Sequence, residues 1–206
     1  MLADDCRLSA TATNLIVALP AEAKPIASRM ELERIQPDRG FPLYRRRLIS
    51  LVVSGPGKAN AAAATAFLYA MGGCPRDAIW VNIGIAGHAE RQVGETLLAH
   101  KITDAGSGRS WRPILMADNP LPADALVTLD QPDLSYRHPG MVDMEASGFY
   151  PTACRFSAVD RVQVFKIISD NRDNSARGLR AKQVRRLMEK SLDEVETLIA
   201  HLQVRA

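Results

Sequence analysis

Cysteine, long apolar runs and clustered charge are all scarce in this chain of 206 residues. Its three cysteines, Cys6, Cys74 and Cys154, are odd in number and lack metal-type spacing, which argues against a disulfide framework. His88, His100 and His138 have no ligand spacing either; they read as surface or loop residues, and no metal site is expected. No apolar run approaches the roughly 20 residues of a membrane span. The first 13 residues contain Asp4 and Asp5 and no apolar core, so they do not read as a secretory signal. A cytoplasmic protein without a membrane partner is the default expectation. Net charge is +3, but the densest basic cluster is Arg45-Arg46-Arg47, too short to imply nucleic acid. It reads as an edge strand guarded by charge. There is no internal repeat and no low-complexity linker. The Gly55-Pro56-Gly57-Lys58 turn lacks the spacing of a phosphate-binding Walker loop.

What is present is an apolar fraction of 47%, enough for a sizeable core in one domain spanning residues 1–206, with 1–12 as a loosely ordered tail. Residues 14–19 (NLIVAL) form an unbroken apolar run, as in a strand buried on both faces. A short helix over 22–30 follows, restricted by Pro25. Strands are expected at 41–47, 48–54, 78–83, 95–102 and 162–169, and an Ala-rich helix at 58–71. Gly84-Ile85-Ala86-Gly87 reads as a small-residue turn. Residues 142–156 read as a helix with a kink at Pro151. Residues 179–202 carry Val184, Leu187, Met188, Leu192, Val195, Leu198, Ile199 and Leu202 at helical spacing, as in one long amphipathic helix. Strands alternating with helices indicate an α/β sandwich around a mostly parallel or mixed sheet. In such folds ligands bind beyond the carboxyl ends of strands.

Two acidic segments fall at such borders: Asp143-Met144-Glu145 and Ser169-Asp170-Asn171. Two carboxyl groups at the rims of buried elements suit cleavage of a glycosidic bond, one protonating the leaving group and the other serving the sugar or the attacking water. The competing structural reading is a helix-start acid and a strand-end turn. Glu22 has the same two readings.

Five segments in order, ALPAEA (18–23), SGPGKANAAAAT (54–65), NIGIAG (82–87), VDMEASG (142–148) and IISDN (167–171), resemble the nucleoside phosphorylase superfamily. The likeness is greatest to its 5'-methylthioadenosine/S-adenosylhomocysteine nucleosidases. The resemblance implies a three-layer α/β sandwich with a central mixed sheet, no cofactor, a small nucleoside as partner, and a homodimer or larger homo-oligomer. The apolar face of 58–71 suits either such an interface or the chain's own core. By resemblance Asp170 protonates or hydrogen-bonds N7 of the departing purine, and Ser169 holds it. Met144 and Glu145 contact the ribose, Ala86 and Gly87 let the backbone approach the ligand, and Glu22 acts on water. Lys166 stands where the family has an arginine that positions water and acids; lysine keeps the charge and loses the planar fork. Ile85 replaces a common serine. The segment 104–141 is short and offers Trp111 or Tyr136 for a base-stacking role, or each as a surface anchor. The implied activity is hydrolysis of a purine nucleoside, with an adenosine derivative as substrate. Phosphorolysis on the same scaffold and a catalytically degraded nucleoside-binding protein remain alternatives.

Overall fold

The computed structural model describes residues 11–35, 39–72, 76–115, 118–119 and 121–204. Residues 1–10 of the expected tail 1–12, together with Cys6 and Cys74, lie outside them. Thr11 is buried, and the carbonyl of Ala12 accepts the Ile79 N–H.

Period-two alternation decides which residues face which layer. In β1 (Thr13–Val17) the side chains of Leu15 and Val17 enter one apolar cluster and Ile16 enters the other. β4 (Ile49–Val53), β5 (Ile79–His88) and β10 (Val162–Asp170) divide their residues in the same way. On one side of the sheet pack α1 (Pro20–Arg29), α4 (Ala181–Lys190) and α5 (Leu192–Gln203). On the other pack α2 (Lys58–Gly72) and α3 (Ala146–Ala153). The result is the expected three-layer α/β sandwich. The apolar face of α2 (Ala61, Ala64, Leu68) is buried within the chain itself.

Among the described residues the sheet is mixed and has 10 strands. β1 pairs in parallel with β4 and β5, and β5 with β10. β10 is antiparallel to β6 (Thr96–Asp104), which runs parallel to β8 (Ala123–Thr128). β8 pairs with β9 (Met141–Asp143), and β9 returns to β5. β5, β10, β6, β8 and β9 therefore form a closed circuit. β2 (Glu33–Ile35), β3 (Leu43–Arg46) and β7 (Ser110–Trp111) extend the sheet at its margins.

Three expectations are corrected. Residues 84–87 do not turn; β5 runs on to His88, because Lys166, Ile167, Ile168 and Asp170 of β10 pair with them and β9 takes up Gly87 and His88. His88 is accordingly buried, its Nδ1 accepting the Glu90 and Arg91 N–H groups and its Nε2 lying 3.3 Å from Asp124. Residues 142–143 are strand, and the helix starts only at Ala146, with Glu145 at its N-cap; it ends two residues past Pro151. The long C-terminal helix breaks at Ser191, which is buried, has φ −106° and ψ 14°, and donates its hydroxyl to the Leu187 carbonyl. A serine that hydrogen-bonds the preceding turn competes with the helical ladder.

Candidate active site

The carboxyl ends of β1, β4, β5 and β10 face the same region, as the topology of an open α/β sheet leads one to expect. A cavity of about 240 Å³ opens there, lined by Glu22, Ala86, Gly87, Met144, Glu145, Ser169 and Asp170 among others. Seven of the eight residues singled out from sequence thus share one cavity. Lys166, the eighth, lies behind its wall.

Glu22 sits in the first turn of α1, just after Pro20. Its Oε2 accepts the backbone N–H groups of Ala18 (2.9 Å) and Leu19 (2.8 Å), and its Oε1 accepts that of Ile85 (3.0 Å). The carboxyl caps its helix, as the structural reading has it, and it also lines the cavity. Burial pushes it up from the ordinary glutamate value, against the pull of the three N–H donors and the Lys166 charge. A carboxylate has about four lone-pair sites; three are taken, so one on Oε1 remains.

Asp143, at the end of β9, accepts the Thr128 hydroxyl (2.7 Å) and the Ala146 N–H (2.9 Å). It also meets the Lys166 ammonium at 2.8 Å. Lys166 is fully buried, and its Nζ has no partner in hydrogen-bonding geometry. Burial opposes its charge, yet Asp143, Glu145 and Glu22 together outweigh burial and hold the ammonium above its ordinary value. One ammonium cannot neutralise three buried carboxylates. Glu145 shows the consequence: burial, then the nearby Asp143 charge, push it up to about 7, while Lys166 and the Gly57 N–H (2.8 Å) pull the other way.

Asp170 closes β10 across a β-bulge, where Ile168 pairs with Ala86 and Asp170 with Gly87, leaving Ser169 as the extra residue. Bulges re-aim side chains next to functional sites. One carboxyl oxygen accepts the Ser169 hydroxyl, whose Oγ also lies 3.3 Å from the Ala86 carbonyl oxygen. The other accepts the Tyr136 hydroxyl at 2.9 Å. Asn171 takes the turn that follows, its side chain accepting the Asp173 and Asn174 N–H groups.

Gly84 and Gly87 are small because carboxylates press on them, since neither residue turns the chain. A Cβ on Gly84 would stand 3.0 Å from Glu22 Oε1, and one on Gly87 would stand 2.9 Å from Asp170 Oδ2. Nearby, Lys58 joins Asp104 and Asp130, and first among several donors it holds the Asp104 carboxyl well below the usual carboxylate range. Asp104 in turn accepts the Ser147 hydroxyl, fixing α3 against β6. No cluster of metal-ligating side chains occurs among the described residues, and none of their helices is long and apolar enough to cross a membrane.

Sequence reasoning did not assign Asp143, Thr128 or the Gly57 N–H to the site. Asp143 had a signal, being half of an acidic pair at an element border. Tyr136 was considered for base stacking, but what the structure gives it is a hydroxyl on Asp170. Trp111 packs against the core cluster under α2 and α3, with Arg109 5.5 Å above its ring.

No protein-family model matches the chain, and no curated protein matches it in sequence. Solved structures do match in fold. The 5'-methylthioadenosine nucleosidase of Arabidopsis thaliana superposes with a TM-score of 0.78 at 16% identity, covering 94% of this chain and 96% of that one. The 5'-methylthioadenosine/S-adenosylhomocysteine nucleosidase of Helicobacter pylori, solved with butyl-thio-DADMe-Immucillin-A, gives 0.75 at 15% identity, covering 94% and 99%. A futalosine hydrolase mutant of the same organism gives 0.73 at 15%, covering 95% and 99%. The chain therefore shares the fold of these nucleosidases and of the futalosine hydrolase.

Proposed function

We propose that this protein hydrolyses the N-glycosidic bond of a purine nucleoside, with an adenosine derivative such as 5'-methylthioadenosine or S-adenosylhomocysteine as substrate. The observation that carries this reading is the pairing, in one cavity, of a strand-end Asp170 with Glu22, Asp143 and Glu145, with the Lys166 ammonium buried behind them.

The chemistry divides between the two ends. Asp170 gives a proton to N7, and the C1'–N9 bonding pair leaves with the base. Glu145 accepts hydrogen bonds from the ribose hydroxyls, and Met144 packs against the sugar. The acidic cluster stabilises positive charge developing on the ribosyl group. Glu22, made more basic by burial, takes a proton from water as the water oxygen bonds C1'. Lys166 keeps Asp143 and the two glutamates together and touches no substrate. The sum is addition of one water across the glycosidic bond.

Water is favoured over phosphate as nucleophile. The acidic side chains lining the cavity are Glu22, Asp133, Asp143, Glu145 and Asp170, and no cationic side chain joins them among the described residues. The buried ammonium behind them is outnumbered by carboxylates. Such a wall repels a phosphate dianion. The test is a panel of 5'-methylthioadenosine, S-adenosylhomocysteine, futalosine and adenosine, scored for free base by chromatography. Base release from at least one adenosine derivative is expected; no release from any would refute the reading.

The close contact at Gly87 gives a second expectation. Gly87→Ala displaces the Asp170 carboxylate by its added Cβ. A misplacement of about 1 Å costs on the order of 100-fold in rate. We expect a kcat loss of that order with little change in KM; unchanged kcat would show that Asp170 need not sit where it does.

A further inference from the structure

We propose that Tyr136 is a positioning residue for the leaving-group acid, its hydroxyl locking Asp170 to the segment that follows β10; this rests on the role assigned to Asp170 above. Tyr136 comes from the short segment between β8 and β9, far in sequence from either partner. Its Oη donates to Asp170 Oδ2 at 2.9 Å and accepts the Ala176 N–H at 3.0 Å. Its backbone carbonyl accepts from the Arg172 guanidinium at 3.3 Å. The residue is buried, at 8% exposure, although its neighbours Ser135 and Arg137 are exposed. It also holds a φ of 50°, a left-handed conformation that side-chain-bearing residues avoid unless their surroundings enforce it. A buried hydroxyl reached through a strained backbone, with both of its hydrogen bonds made, is placed for what it touches.

Two hydroxyls thus grip one carboxyl group, Ser169 on one oxygen and Tyr136 on the other. With both oxygens held, the carboxyl plane cannot rotate about its terminal torsion, which is otherwise broad. One position on each oxygen is left, from which the carboxyl proton can reach the base. Through Ala176, which lines the cavity, the same hydroxyl couples that orientation to the loop beyond Asn171.

Tyr136→Phe keeps the ring and removes the hydroxyl, and circular dichroism checks that the fold is retained. We expect kcat for base release to fall about 10-fold with KM within about twofold, because orientation matters in the transition state more than in binding. In an Asp170→Asn background the same change should cost nothing further, since there is no acid left to orient. A merely structural tyrosine would lower kcat equally in both backgrounds. A substrate-free readout accompanies this. The Asp170 carboxyl carbon resonance, assigned by its loss in Asp170→Asn, should move in Tyr136→Phe. An unmoved resonance, or equal losses in the two backgrounds, overturns the proposal. Absence of base release by the wild type would instead refute the reading of the site, and the resonance would still test the hydrogen bond.

Discussion

Replacing Asp170 by Asn lowers kcat for base release about 1,000-fold, the middle of the range that general acid catalysis supplies. Asparagine matches the aspartate in size; its carbonyl oxygen accepts from one of the Ser169 and Tyr136 hydroxyls, and its amide nitrogen faces the other. Its amide can hydrogen-bond N7 but cannot hand over a proton, so the base must depart as an anion. The loss falls on kcat, with KM nearly unchanged, because the missing proton matters only as the C1'–N9 bond breaks. Stability should change little, since no buried charge is stranded by the change. Steady-state kinetics with thermal unfolding on the same sample separates the two effects. Undiminished base release would sink the leaving-group assignment.

Lys166→Met has the larger expected effect on stability. Methionine fills much of the volume of the lysine stem, so packing is largely kept. What goes is the ammonium that, alone among the described residues, faces Asp143, Glu145 and Glu22. Removing one partner of a buried charge pair costs about 3–5 kcal/mol, which for a chain of this size corresponds to a Tm lower by about 10 °C. The pH dependence follows from linkage. Glu145 is raised from 4.5 to about 7 in the folded chain. Between those values the folded state holds more protons than the unfolded one, so stability falls as pH rises through the window. Without Lys166, whose charge lowers both groups, Glu145 and Glu22 hold their protons more tightly still, and that fall extends to higher pH. The Tm difference between wild type and variant is therefore expected to be smaller at pH 5 than at pH 8. An equal difference at both values would show that the ammonium does not offset these acids.

Much of this was legible in the sequence because buried parallel strands read as apolar runs and the acids sit at their ends. NLIVAL announced β1, Asp170 marked where β10 stops, and Glu145 stood at the start of a helix-like run that begins as α3 one residue later. The misreadings have local causes. GIAG carries no side chain to show that β10 and β9 pair with it, so it looked like a turn. Val142 and Asp143 share composition with the helix that follows, and only their pairing with β5 and β8 makes them strand. Ser191 is one polar residue in a helical pattern, and periodicity is blind to where its hydroxyl points. Tyr136 lies 34 residues from Asp170, in a stretch without periodicity, so no spacing rule could join them.

The central claim is that water, in a cavity walled by acids, cleaves the bond to a purine. It is tested most directly by incubating the wild type with 5'-methylthioadenosine in buffer with and without phosphate, and identifying the sugar product by mass. Hydrolysis predicts adenine and the free methylthioribose at the same rate in both buffers. Release of adenine only with phosphate, together with a sugar 1-phosphate, would contradict it.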